Sequence, residues 1–333
     1  MTATAQRVGL AIQGGTKAVT EDVGDLFTWP IVTHEDEEAV LEVLRRGAMS
    51  ATDVTHKFEA DLSSYFDVRH ALCHSTGTAA IQAALWACGV RRGDEVIAQS
   101  MTYWGTSLQV FSLGATVVFA EMEPHSLCLD PADIERHITE HTKAIVPVHY
   151  SGYPTDMDPL MEIAGKHGLK VVEDVSHAQG GLYKGRLLGT IGDVGAMSIM
   201  SGKSLACGEG GFLVTDDDDI FERAAAFGHY ERIPGLENPD FNHLKGMPIG
   251  GYKYRMHQLS SALGRVQLRH YQERIETIQG AMNYFWDRLE GVPGLRAHRP
   301  SPDSGSTMGG WYSPHGLYKA EELGGLSITR FCE

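Results

Sequence analysis

The sequence predicts an α/β protein: a large three-layer αβα domain on a mainly parallel sheet, followed by a smaller C-terminal α/β domain. Three observations carry this. Between residues 71 and 174, short apolar runs alternate with amphipathic stretches of helical period, and strands spaced by single helices make βαβ units with right-handed crossovers. Gly89, Gly114 and Gly168 each stop one of the helical stretches, as a C-terminal glycine does. Finally, 333 residues at about 150 per domain suggest two domains or one large domain with an appendage.

The elements follow in order. Thr33 is placed to cap a helix over 34–46, with Asp36 at the capping-box position, acids in the first turn, basics in the last and Gly47 at the stop. A second amphipathic helix covers 53–66. Strands are then expected at 71–74, 95–99, 116–120, 144–148 and 170–174, with helices at 78–88, 106–113, 131–138 and 157–167 between them. From Gly195 the rhythm tightens into two strands, 196–199 and 211–215, separated by a Gly-rich loop and followed by a helix at 217–227. The Gly-, Pro-, His- and Asn-rich stretch 228–251 reads as a long loop, of the kind that is either mobile or functional. A long helix over 257–289, a Pro/Gly/Ser stretch over 293–310 and a strand over 311–318 complete the reading. The organisation expected is an N-terminal arm (1–33), a large domain (34–275) and the start of a small domain (276–333). That last part resembles a domain cut short or pared down, because the chain stops at what reads as the first turn of a helix.

Composition narrows the function. Lys and Arg number 28 against 43 Asp and Glu, a formal charge of −15. No basic run exceeds a pair, so nucleic acid is not an expected partner. Five cysteines are scattered without a CxxC pair, which reads as reduced thiols rather than a disulfide framework or zinc site. No stretch of 18 apolar residues is present, and residues 1–15 lack a signal-peptide pattern. A soluble, cytoplasmic protein is expected.

Four features carry chemistry. The apolar strand Val171-Val-Glu-Asp174 sets a carboxylate at the C-terminal edge of a parallel sheet, where ligands of open α/β folds bind. Twenty-nine residues on, Lys203 lies in a loop of small residues, where a lone lysine is readily desolvated and becomes a Schiff-base candidate. His74-Ser-Thr-Gly-Thr78 joins a strand to a helix, so the amides of Gly77 and Thr78 face an anion such as phosphate. Thr102-Tyr103-Trp104 follows another sheet edge, with a ring able to stack on a planar ligand. Singly, each has an ordinary reading: a turn acid, a solvated lysine, a helix cap, a core aromatic. Together and in this order they fit one site, the minimal equipment for pyridoxal phosphate chemistry.

These residues also carry a resemblance. From Leu10-Ala-Ile-Gln-Gly-Gly15 through Gly77-Thr78, Glu173-Asp174, Gly185-Arg186, Gly192-Asp193, Ser198, Lys203, Gly208-Glu-Gly-Gly211 and Gly251-Tyr-Lys-Tyr-Arg-Met256, the chain resembles the DegT/StrS family of sugar aminotransferases, pyridoxal 5'-phosphate (PLP) enzymes of fold type I. The resemblance implies that Lys203 holds the cofactor as a Schiff base and shuttles a proton, and that Asp174 keeps the ring nitrogen protonated. Tyr103 would stack on the ring, while Gly77, Thr78 and Ser198 would bind the phosphate. His177 stands where the family most often has Gln, contacting the ring hydroxyl. Lys253 stands where many relatives have Asn, reaching the neighbouring subunit's cofactor phosphate; it either does so as a point charge or is structural. Arg255 is read as an interface brace and His149 as a satisfied sheet-edge histidine.

The expected activity is transfer of an amino group from Glu or Gln to a keto group of a nucleotide-linked sugar or cyclitol, by a homodimer with shared active sites. The acceptor is expected to meet the loops 27–31 and 228–251. Relatives that act as dehydratases replace the lysine with His, which Lys203 argues against. A PLP-bound regulatory protein without turnover remains the alternative from another class, and a nicotinamide dehydrogenase would need GxGxxG where Ser75-Thr-Gly-Thr78 stands.

Overall fold

The computed structural model describes residues 28–244 and 252–332, with positions 16, 19–22 and 24 before them. Two helices open it, α1 (His34–Arg45) and α2 (Asp53–Phe66). The carboxylate of Asp36 accepts both the N–H and the hydroxyl of Thr33 at 2.7 Å, which ties the start of α1. There follow β1 (His70–His74), α3 (Gly77–Ala87), β2 (Glu95–Gln99), α4 (Trp104–Ser112), β3 (Thr116–Ala120), α5 (Pro131–Ile134), β4 (Thr142–Val146), α6 (Met157–His167) and β5 (Lys170–Asp174). A short hairpin, β6 (Leu182–Tyr183) and β7 (Arg186–Leu187), leads to β8 (Val194–Ser198), β9 (Gly211–Thr215) and α7 (Asp218–Gly228). The chain ends in α8 (Gln258–Arg269), α9 (Tyr271–Arg288), β10 (Leu295–Ala297), β11 (Gly316–Tyr318) and α10 (Ile328–Cys332).

Seven strands form one sheet in the order β1-β9-β8-β5-β4-β2-β3. Pairing is parallel from β8 to β3, and β9 alone runs against both its neighbours. The pleat sends alternate residues to opposite cores. Ala71, Cys73, Val171 and Met197 join Phe58 and Leu62 of α2 and Leu160 of α6 on one face. Leu72, Val172, Val194 and Ala196 join Ala80, Ile81 and Leu85 of α3 and Ile220 of α7 on the other. Fully buried Phe58, Leu62, Leu72 and Leu85 each contribute roughly 1.5–3 kcal/mol of burial. A separate small cluster of Trp286, Met308 and Trp311 packs under the β10–β11 pair.

Several expectations change. The helix expected over 257–289 is two, broken at His270 (φ −95°, ψ 0°). The break turns Tyr271 into the core, where its hydroxyl donates to the carbonyl of Gln179 at 2.8 Å. The helix expected at 131–138 ends at Ile134 and continues as a tight turn to His137. The strand expected over 311–318 shrinks to Gly316–Tyr318, because Trp311 (φ 52°) and Ser313 (φ 50°) take left-handed backbone that no strand accommodates. The hairpin at Lys184-Gly185, both with φ above zero, was not expected. α9 carries the chain without a break through residue 275, the division expected from the sequence. Residues 245–251 of the expected long loop, residue 27 of the arm, and the motif stretch 10–15 lie outside the described residues. Among the described residues, no helix is long and apolar enough to cross a membrane.

Candidate active site

The C-terminal ends of β1, β2, β5 and β8 meet at one edge of the sheet, and a cavity of about 630 Å³ opens there. Gly77, Thr78, Tyr103, Asp174, His177, Ser198 and Lys203 all line it. Lys253 does not: it is exposed, with its ammonium 5.9 Å from the Tyr230 ring centroid. Another hollow, of about 490 Å³, runs along Asp193 and the carboxylates of residues 216–219 with Arg69 as its cation, and holds none of this chemistry.

Asp174 is the last residue of β5, nearly buried, and both its oxygens are engaged. Oδ1 accepts the N–H of Ser176 at 3.0 Å and Oδ2 the hydroxyl of Thr106 at 2.7 Å. Behind it, Glu173 points to the opposite core, as the pleat requires. Burial alone would raise its pKa, yet the His149 imidazole (3.0 Å) and the N–H groups of Gly189, Ile191 and Gly192 hold it below the usual carboxylate range. His149 Nδ1 in turn accepts the N–H of Thr155 at 3.1 Å, so both ring nitrogens are satisfied as expected of a structural histidine.

Lys203 is 7% exposed. Burial brings its amine down to about 8, with Asp174 pulling the other way, because a low-polarity surround disfavours the charged form. The indole of Trp29 donates to the backbone carbonyl of Lys203 at 2.9 Å, so the N-terminal arm holds the lysine loop from outside. The amine lies 3.9 Å from the centroid of Tyr312. That ring stacks on His177, centroids 4.4 Å apart and 22° from parallel. Burial and the Lys203 amine push His177 down to about 4, against the pull of Asp174, so the imidazole is neutral near pH 7.

At the other end, Thr76 caps α3, its hydroxyl accepting the N–H of Ala79 at 3.0 Å. The amides of Gly77 and Thr78 precede the first helical hydrogen bond and are left for an anion. Gly77 is required here: a Cβ would stand 2.5 Å from that of Ser198. Its absence lets the helix start press against the end of β8, so that Ser198 lines the same cavity as Gly77 and Thr78. Gly105 does similar work, since a Cβ there would meet Tyr103 Cε1 at 2.9 Å and Thr78 Oγ1 at 3.1 Å. Tyr103 is thereby laid along the cavity wall, 62% exposed.

These residues fit a phosphorylated pyridine aldehyde: the amides of a helix start lining the cavity, a fixed carboxylate, a buried amine and an aromatic wall. Sequence reasoning missed Thr106, Ser176, Ser151 and Tyr312. Thr106 lies in the first turn of α4, three residues past Tyr103, a readable signal; Tyr312 lies 109 residues beyond Lys203 and gave none.

The sequence profile of the DegT/DnrJ/EryC1/StrS aminotransferase family matches residues 30–321. The chain is 34% identical over 279 residues to the spore coat polysaccharide biosynthesis protein SpsC of Bacillus subtilis (strain 168), spanning 81% of this chain and 70% of that one. It is 36% identical over 244 residues to the GDP-perosamine synthase of Caulobacter vibrioides, spanning 73% and 64% respectively. Its fold matches the crystal structure of S. venezuelae DesV in complex with a ketimine intermediate at a TM-score of 0.73 and 34% identity, over 81% of this chain and 70% of that one. The chain therefore spans 64% to 70% of the length of these relatives.

Proposed function

This chain belongs to the DegT/DnrJ/EryC1/StrS aminotransferase family, and on that premise we propose that it is a PLP-dependent transaminase. It takes an amino group from glutamate or glutamine and passes it to a keto group of a nucleotide-linked sugar or cyclitol. The observation that carries this is the meeting of the Lys203 amine, brought down to about 8, with the doubly anchored Asp174 in one cavity at the sheet edge.

Bound there, PLP supplies an electron-withdrawing ring that makes the proton on a substrate's amine-bearing carbon removable. The residues divide the remaining work. The amides of Gly77 and Thr78 and the Ser198 hydroxyl hold the phosphate at the positive end of α3. Asp174, kept in place by Thr106 and Ser176, holds a proton on the ring nitrogen. Tyr103 would pack on the ring face, and His177 would present a neutral imidazole to the ring hydroxyl. Lys203 would hold the cofactor aldehyde through Nζ, and that same atom, lowered to about 8, would accept and return a proton.

We also propose a cytoplasmic homodimer. Lys253 lies outside its own cavity, consistent with reaching a neighbour's phosphate. Trp104, Leu108 and Phe111 expose one apolar stripe of α4 beside the cavity mouth, which a second subunit would cover. The test is spectral. PLP added to the protein should give the absorbance of a lysine-bound aldehyde, lost in Lys203→Ala and converted by glutamate or glutamine to the amine form of the cofactor. A spectrum that no amino donor changes would leave a binding protein without turnover, and no spectrum at all would end both readings.

A further inference from the structure

Ser151 sits in the wall of the cavity, buried, in a left-handed conformation (φ 53°, ψ 17°) that L side chains disfavour. Such a residue persists when its surroundings over-determine it, and two contacts do so here. Its backbone N–H donates to His177 Nδ1 at 3.3 Å, and its hydroxyl is 2.8 Å from His315 Nε2. A backbone N–H can only donate, so Nδ1 of the neutral His177 ring carries no proton. The proton is therefore on Nε2, the pole left for a ligand in the cavity.

The second contact reaches the C-terminal strap, residues 307–315. That strap is threaded with no room to spare. A Cβ on Gly152 would collide with the carbonyl of Met308, one on Gly310 with Ser204, and one on Gly309 with the carbonyl of Ala178 at 2.9 Å. The strap carries Tyr312 onto His177 and over the Lys203 amine.

We propose that Ser151 is a positioning residue that clamps both sides of the cavity at once. Its N–H selects the His177 tautomer that presents Nε2–H to the ligand, and its hydroxyl seats the strap, through His315, so that Tyr312 covers Lys203. This rests on reading the cavity as the PLP site, and its tests do not depend on turnover.

The tautomer is read by imidazole ¹⁵N NMR of the holoenzyme, labelled in histidine and assigned with His177→Gln. His177 should show a bare Nδ1 and a protonated Nε2; a protonated Nδ1 overturns the proposal. The strap is read by amide hydrogen exchange. Ser151→Ala, which keeps the N–H, should speed exchange at 311–313 by about tenfold and leave the His177 tautomer unchanged. His315→Phe should do the same, and the double variant should add nothing further. Unchanged exchange in both single variants, or additive effects in the double one, refutes the clamp. If Ser151→Ala does not fold, the wild-type tautomer and His315→Phe still decide. If the wild-type protein shows no cofactor spectrum, the PLP reading fails by itself, while tautomer and exchange remain measurable on the same protein.

Discussion

The cavity has two walls of different construction. One is the sheet edge: Asp174 ends β5, Ser198 ends β8 and Gly77 opens α3, so each functional group is aimed by a hydrogen-bonded element beneath it. The other is the strap bearing Tyr312, which has no regular structure between Thr307 and His315. It is held by scattered side-chain contacts: the Trp311 indole donating to Gln279 Oε1 at 3.0 Å, Gln279 donating to the carbonyl of Gly309, and His315 against Ser151. The sheet wall is stiff and places the chemistry. The strap wall is made of contacts that each contribute about 1 kcal/mol, and it sets how wet the chemistry is.

The largest effect should come from the sheet side of the cavity. Lys203→Ala should lower amine transfer, followed by mass spectrometry, on the order of 10³-fold or more. Lys203→Met should instead stabilise the cofactor-free protein at pH 7. The folded amine sits at about 8 against an ordinary 10.5, so below pH 8 the fold loses stability by burying an ammonium, and that loss disappears as pH rises toward 10.5. The gain should be about 3 kcal/mol in denaturant unfolding, shrinking above pH 8; no gain would mean the amine is better solvated than its burial indicates.

The support beneath the sheet wall comes next. Glu173→Ala strands the donor of His149 and three backbone amides in the core, and should lower unfolding stability by about 3–5 kcal/mol. A loss under 1 kcal/mol would show that the sheet edge does not depend on this buried pair.

On the strap, Tyr312→Ser should leave the fold intact and readmit water to Lys203. Since burial is the main cause of the lowered pKa, the amine should titrate above 8. The rate at which Lys203 captures PLP, which rises with pH as the amine deprotonates, should then have its midpoint shifted upward. A downward shift would mean the ring's attraction for the ammonium outweighs its exclusion of water.

The smallest effect is expected for Trp29→Phe, which loses the hydrogen bond to the Lys203 carbonyl. It should reduce thermal stability by about 0.5–1.5 kcal/mol, with a matching mild loosening of the lysine loop in hydrogen exchange.

Legibility in the sequence follows the same division. Helices at 53–66 and 157–167 and strands at 95–99, 116–120, 170–174 and 211–215 have the bounds read from their periodicity, because local pattern and tertiary role agree there. The break at His270 was not readable: apolar spacing continues through it, and it coincides with the burial of Tyr271, whose partner Gln179 lies far away in sequence. Trp311 to Tyr318 looked like a strand for the same reason, being aromatic and short, while its backbone answers to the tight passage past Gly152, Ala178 and Ser204.

The sequence by itself determined the βαβ frame and the sheet edge, and with them Gly77, Thr78, Tyr103, Asp174 and Lys203, while His177 and Ser198 were legible only through the family resemblance. A parallel sheet brings its strand ends to one side whatever the loops do, so residues at those ends must meet. Only the tertiary structure decided what faces them. Tyr312 over Lys203, Ser151 between His177 and His315, and Trp29 behind the lysine loop are separated from their partners by 26 to 174 residues. No local periodicity encodes such contacts, because they come from shape and hydrogen bonding between surfaces that exist only once the chain has folded.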